Sequence, residues 1–192
     1  MELSKTDEVL IETGRGPDFA RALYGNKIEK LDIGKLVEPA YQFGYEYVKQ
    51  INPEKKAAEN AYSLGIKGIS WIEGSHQWRQ HTGVSDTISI GKKTLQEALE
   101  ALTFFNIHCF TGEDIYEICI WHELFHYIEE NIGAMTDSYF NKPDNPLLRD
   151  FAAFGFTNAI TMNRPCEMIE FLFLKYKILS ITPKIHPVIS VK

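Results

Sequence analysis

The run from Ile118 to Ile128 constrains this chain most: every residue in it is apolar or aromatic except His122, Glu123, His126 and the amphipathic Tyr127. A helix apolar nearly all round is a buried helix. The spacing predicts one from about Thr111–Asp114, whose acidic Glu113 and Asp114 suit the positive end of a helix dipole, to about Asn131, with Gly133 just beyond. Within it His122 and His126 stand four residues apart, so their imidazoles project from one face a turn apart, as two ligands of one tetrahedral zinc must. Glu123 is turned by roughly 100° and flanks them. Two imidazoles and a carboxylate buried together are costly unless a cation compensates all three. A bound Zn2+ does so, and Glu123 beside it suits a general base acting on water.

Two histidines leave a zinc site incomplete, and the third protein ligand must come from elsewhere in the chain. Positions 129–132 read Glu-Glu-Asn-Ile, so the extended HExxHxxGxxH pattern is absent. The downstream candidates are Asp137, Asp144, Asp150, Glu167, Glu170 and His186. Glu167 is the preferred one: it and Glu170 lie three apart in the otherwise apolar PCEMIEFLFLKY, where at least one carboxylate is buried and needs a partner. Either Glu167 or Glu170 can ligate while the other orients a ligand histidine. His76, Arg79, His81 and Tyr139 are candidate donors to an oxyanion.

The remainder of the 192 residues suits one domain, with residues 1–35 as a loosely packed N-terminal arm. Aromatics at Tyr41, Phe43, Tyr45 and Tyr47 fall in a first helical segment, 36–51, and Pro53 and Gly65 frame a second. GISWI (68–72) and DTISI (86–90) read as strands around a polar loop. Thr94 is placed to cap a helix that packs beneath the sheet. Residues 135–150 read as loop, and a last helix starts at Asn163-Arg164-Pro165. The fold class expected is α+β, with a buried active-site helix and a small, mainly antiparallel sheet.

A formal net charge of −6 offers no cationic footprint for nucleic acid. No stretch reaches the roughly 20 apolar residues of a membrane span, and the start of the chain lacks the pattern of a secretory signal, so a cytoplasmic protein is expected. Cys109, Cys119 and Cys166 are widely spaced and form no CxxC pair, which suits free thiols.

HELFH on a buried helix, with EMIEF opening a later helix, resembles the gluzincin metallopeptidases, particularly small cytoplasmic bacterial and phage members related to the ImmA/IrrE group. The resemblance spans roughly residues 86–175. It implies a zincin-like fold, His122, His126 and Glu167 as zinc ligands, Glu123 as general base, and a peptide or protein substrate laid along the edge of a strand, for which DTISI is the candidate. A metal-binding regulatory protein of the same fold that turns nothing over is the leading alternative, and hydrolysis of a non-peptide amide is another.

Overall fold

A computed structural model of the protein describes residues 3–28, 33–74, 78–82, 86–132, 135–162 and 164–181. Four helices come first: α1 (Lys5–Thr13), α2 (Gly16–Ile28), α3 (Ile33–Glu46), running into a 3-10 turn at Tyr47–Gln50, and α4 (Ala57–Leu64). Three strands follow, β1 (Gly68–Ile72), β2 (Arg79–Thr82) and β3 (Thr87–Gly91). Then come α5 (Lys92–Phe104), α6 (Gly112–Ile132), the single turn α7 (Thr136–Tyr139), α8 (Pro146–Ile160) and α9 (Glu167–Ile181). The chain is thus α+β and mostly helical.

The sheet corrects one expectation. Its order is β1-β3-β2, with β1 parallel and β2 antiparallel to β3, so it is mixed rather than mainly antiparallel. DTISI supplies the central strand, whose Ile88 and Ile90 are fully buried, and cannot be the open edge. The edge beside α6 is β2, a strand of Arg-Gln-His-Thr drawn from the segment read as polar loop. Its composition lacks the apolar alternation that marks a strand.

Helix α6 forms where expected. Thr111 Oγ1 accepts from the Asp114 amide (3.1 Å) and Asp114 Oδ2 accepts from the Thr111 amide (2.7 Å), a reciprocal cap that satisfies two end donors. Ile115, Ile120, Leu124, Phe125 and Ile128 are buried around it, and α4, α5, α8, β2 and β3 all pack against it. Thr94 lies inside α5, buried, while Gly91 takes the cap position, and α5 packs chiefly on α9 and α6.

The N-terminal residues are less loose than expected. Although α1 buries none of its side chains, α2 sinks Phe19 and Ala20 into the core, with Phe19 edge-on to Phe171 of α9. Helices α3 and α8 meet at backbone contact. A Cβ on Gly44 would stand 1.8 Å from the Ala152 carbonyl oxygen, and one on Gly155 2.1 Å from that of Tyr41. None of the described helices is long and apolar enough to cross a membrane.

Candidate metal centre

Helix α6 presents His122 and His126 one above the other, ring centroids 5.0 Å apart, with Glu123 beside them. The three residues bring ligand atoms within 4.8 Å of one another. His122 and Glu123 are buried, while His126 faces a shallow cleft of about 220 Å³ formed with Glu130, Pro146, Arg149 and Asp150.

The carboxylate between the histidines is Asp150, in the first turns of α8. Its Oδ1 lies 3.7 Å from His122 Nε2 and 3.5 Å from His126 Nε2. Ligands bound to tetrahedral zinc at 2.0–2.2 Å stand about 3.3–3.6 Å from each other. Asp150 Oδ1 therefore stands from each of the two imidazole nitrogens at nearly the spacing that one ion would impose.

Glu167, preferred on sequence grounds, has hydrogen-bond partners other than the histidines. It is fully buried, as expected, but the Tyr41 hydroxyl donates to its Oε1, and Asn158 Nδ2 lies 2.9 and 3.0 Å from its two oxygens. Asn158 Oδ1 in turn accepts from the Cys166 amide (3.1 Å), tying α9's start to α8. Burial, with no cationic partner among the described residues, pushes the Glu167 carboxyl up to about 7, even though both hydrogen bonds favour the charged form. Glu170 also has a different partner, Arg79 Nη1 at 2.7 Å.

Arg79 enters from edge strand β2. Besides Glu170 it meets Glu123, Nε to Oε1 at 3.3 Å, and its Nη2 lies 3.1 Å from His122 Nδ1 and 3.2 Å from Nε2. An atom equally near both ring nitrogens at that range must sit over the ring face, because in the ring plane it would overlap Cε1. Arg79 Nη2 thus sits over the His122 ring, within reach of both its nitrogens.

The two histidines consequently differ. Burial, then the Arg79 charge, hold His122 well below the usual imidazole range. At His126 burial is outweighed by the Asp150 and Glu129 carboxylates, which push it up to about 9. Asp150 is depressed below the usual carboxylate range: burial opposes this, and the two histidines overcome it.

Formal charge tests whether a metal fits. Five carboxylates, those of Glu123, Glu129, Glu130, Asp150 and Glu170, adjoin two guanidinium groups, Arg79 and Arg149. A divalent cation with both histidines neutral would offset most of that negative excess. The donor set of two imidazole nitrogens and one carboxylate oxygen is that of a catalytic zinc rather than a closed structural one.

Other expectations resolve plainly. Tyr139 is largely exposed and packs on Phe43. His76, His186 and the side chain of His81 lie outside the described residues, as does Asn163. Cys119 lines a small space beside Arg79, and burial pushes its thiol up to about 12, so it serves packing rather than nucleophilic chemistry. Two residues passed over in the sequence belong to this neighbourhood. Glu129 is buried against His126, and Tyr24 of α2 has a phenol raised by burial and then by the Glu170 and Asp150 charges. Glu129 had a visible signal, a carboxylate three residues after His126 on the same helix face; Tyr24 had none. Comparison with protein-family models, with curated proteins and with solved structures returned no match.

Proposed function

We propose that the protein is a zinc-dependent hydrolase of zincin type, a metallopeptidase, in which His122, His126 and Asp150 hold the metal and Glu123 is the general base. The observation that carries this reading is the convergence of His122 Nε2 and His126 Nε2 on Asp150 Oδ1, with Glu123 alongside. When bound, zinc would lower the pKa of a water in its open fourth position to about 7 and polarise the scissile carbonyl. Glu123 takes the proton from the attacking water and returns it to the leaving amine, which keeps the site's charge constant through the reaction. Arg79 fixes the Glu123 carboxylate on one side and the His122 ring on the other, and offers positive charge where the carbonyl oxygen becomes anionic. Glu170 anchors that guanidinium from α9.

The substrate in this reading is an extended peptide. Among the described strands β2 lies at an edge of the sheet, beside α6, and an extended peptide laid along it would pair by main-chain hydrogen bonds. Such an assignment keeps the active-site logic suggested by the resemblance to gluzincins and replaces their glutamate ligand with an aspartate from α8. Three free thiols are in keeping with work in the cytoplasm.

The test is metal content together with turnover. Purified wild type should carry about one zinc and cleave a peptide library, and His122→Ala should lose the metal. Glu123→Gln should keep the zinc and lose activity by about 10²–10⁴-fold. Equal zinc in wild type and His122→Ala, or full activity in Glu123→Gln, would sink the assignment. A zinc-loaded wild type that cleaves nothing would favour the regulatory alternative.

A further inference from the structure

Glu129 is a carboxylate with 1% of its surface exposed, and each of its oxygens is engaged twice. Oε2 lies 3.1 Å from His126 Nδ1 and 3.3 Å from Arg149 Nε. Oε1 accepts from the Thr136 amide at 2.9 Å and from the Thr136 hydroxyl. Its partners thus come from three places: a metal-facing histidine on its own helix, the first residue of α7, and the residue immediately before Asp150 on α8. Glu130, next along α6, takes the other end of the same guanidinium, with Arg149 Nη2 at 2.9 Å.

We infer that Glu129 is a positioning residue for the metal centre, acting on two of its three protein ligands at once. On His126 it acts through the tautomer. A carboxylate oxygen can only accept, so Nδ1 must carry the hydrogen and the lone pair is left on Nε2, the nitrogen that faces Asp150. On Asp150 it acts through the backbone. Arg149, clamped by Glu129 and Glu130, fixes the register of α8's first turn on α6, and Asp150 is the next residue. The Thr136 bonds hold the carboxylate in the one orientation that serves both.

This inference rests on the proposed metal site, and its test separates the two. Zinc affinity is measured by chelator competition on the full chain for wild type, Glu129→Gln and Glu130→Gln, with thermal unfolding of each metal-free protein alongside. In Glu129→Gln the amide oxygen stays with the two Thr136 donors and the NH2 group turns toward Nδ1. That reverses the bond and favours the Nε2–H tautomer, which cannot ligate. The expected result is a loss of about 10–100-fold in zinc affinity, and a smaller loss for Glu130→Gln, which touches the Arg149 clamp but not the His126 tautomer. A folded Glu129→Gln protein with wild-type affinity would overturn the inference and leave the metal site standing. Wild type that binds no zinc would overturn both. Should the variant fail to fold, the 15N shifts of the His126 ring in zinc-loaded wild type decide the matter: a protonated Nδ1 with metal on Nε2 is expected, and metal on Nδ1 refutes the role.

Discussion

Asp150 and Glu167 are two carboxylates near one helix, and their surroundings are opposites. Asp150 keeps about a third of its side chain exposed (37%), sits between two imidazoles and is held in its charged form. Glu167 has no exposure and no cation among its hydrogen-bond partners, and its hydroxyl and amide contacts leave it half-neutralised near pH 7. On the proposed assignment, the difference teaches that burial alone does not mark a metal ligand. A carboxylate can be hidden because neutral donors satisfy it, and a ligand must stay open enough to admit an ion and water.

The sharpest way to break this contrast is to exchange the two residues' fates. Asp150→Ala should lose the single equivalent of zinc, whereas Glu167→Gln should retain it; metal analysis showing the reverse would restore the glutamate ligand.

A smaller effect should appear in the pH dependence of metal-free stability. The Glu167 carboxyl has an ordinary value of 4.5 and a folded value of about 7. Between them the unfolded chain has released its proton and the folded chain still holds one. Stability therefore falls as pH rises through that window and levels off above it, by about 3 kcal/mol for this group. Urea unfolding of wild type and Glu167→Gln at pH 4.5 and 8 should show that difference, and parallel profiles would refute it.

Tyr41→Phe removes one donor from the buried carboxylate. It should cost about 1–3 kcal/mol of stability while zinc content stays unchanged, as read by denaturation and metal analysis. Loss of zinc in that variant would tie the two clusters together. Smallest in scale is a proton count. His126, raised to about 9, is charged at pH 7 and must lose its proton to ligate, while His122 is already neutral. Zinc uptake at pH 7 should release about one proton, measurable by calorimetry in buffers of different ionisation enthalpy, and release of none would contradict the pairing of His126 with Asp150 and Glu129.

Legibility in the sequence followed the range of the interactions. Helix α6 and its three polar residues were readable because periodicity, apolar flanks and capping all lie within about twenty consecutive residues. The burial of Glu167 was readable too, from the apolar run around it. Its reason was not, since Tyr41 lies 126 positions away and nothing local marks it as a partner. Asp150 was among the candidates, but a polar, proline-bearing approach made 135–150 look like loop, when Pro146 instead begins α8 and starts the helix that carries the aspartate to the histidines. Strand β2 escaped notice because an edge strand of four polar residues has no periodicity to read, so Arg79, already a candidate donor, was placed on a loop rather than on a strand.

The seam between α3 and α8 bears on all of this from a distance. At Gly44 and Gly155 the two backbones touch, and side chains of any size are excluded. Gly155 lies five residues, about 7.5 Å of helix rise, from Asp150. A side chain at either glycine would push α8 off α3, so its cost is expected first in stability, and the displaced α8 would carry Asp150 with it, away from the two histidines of α6.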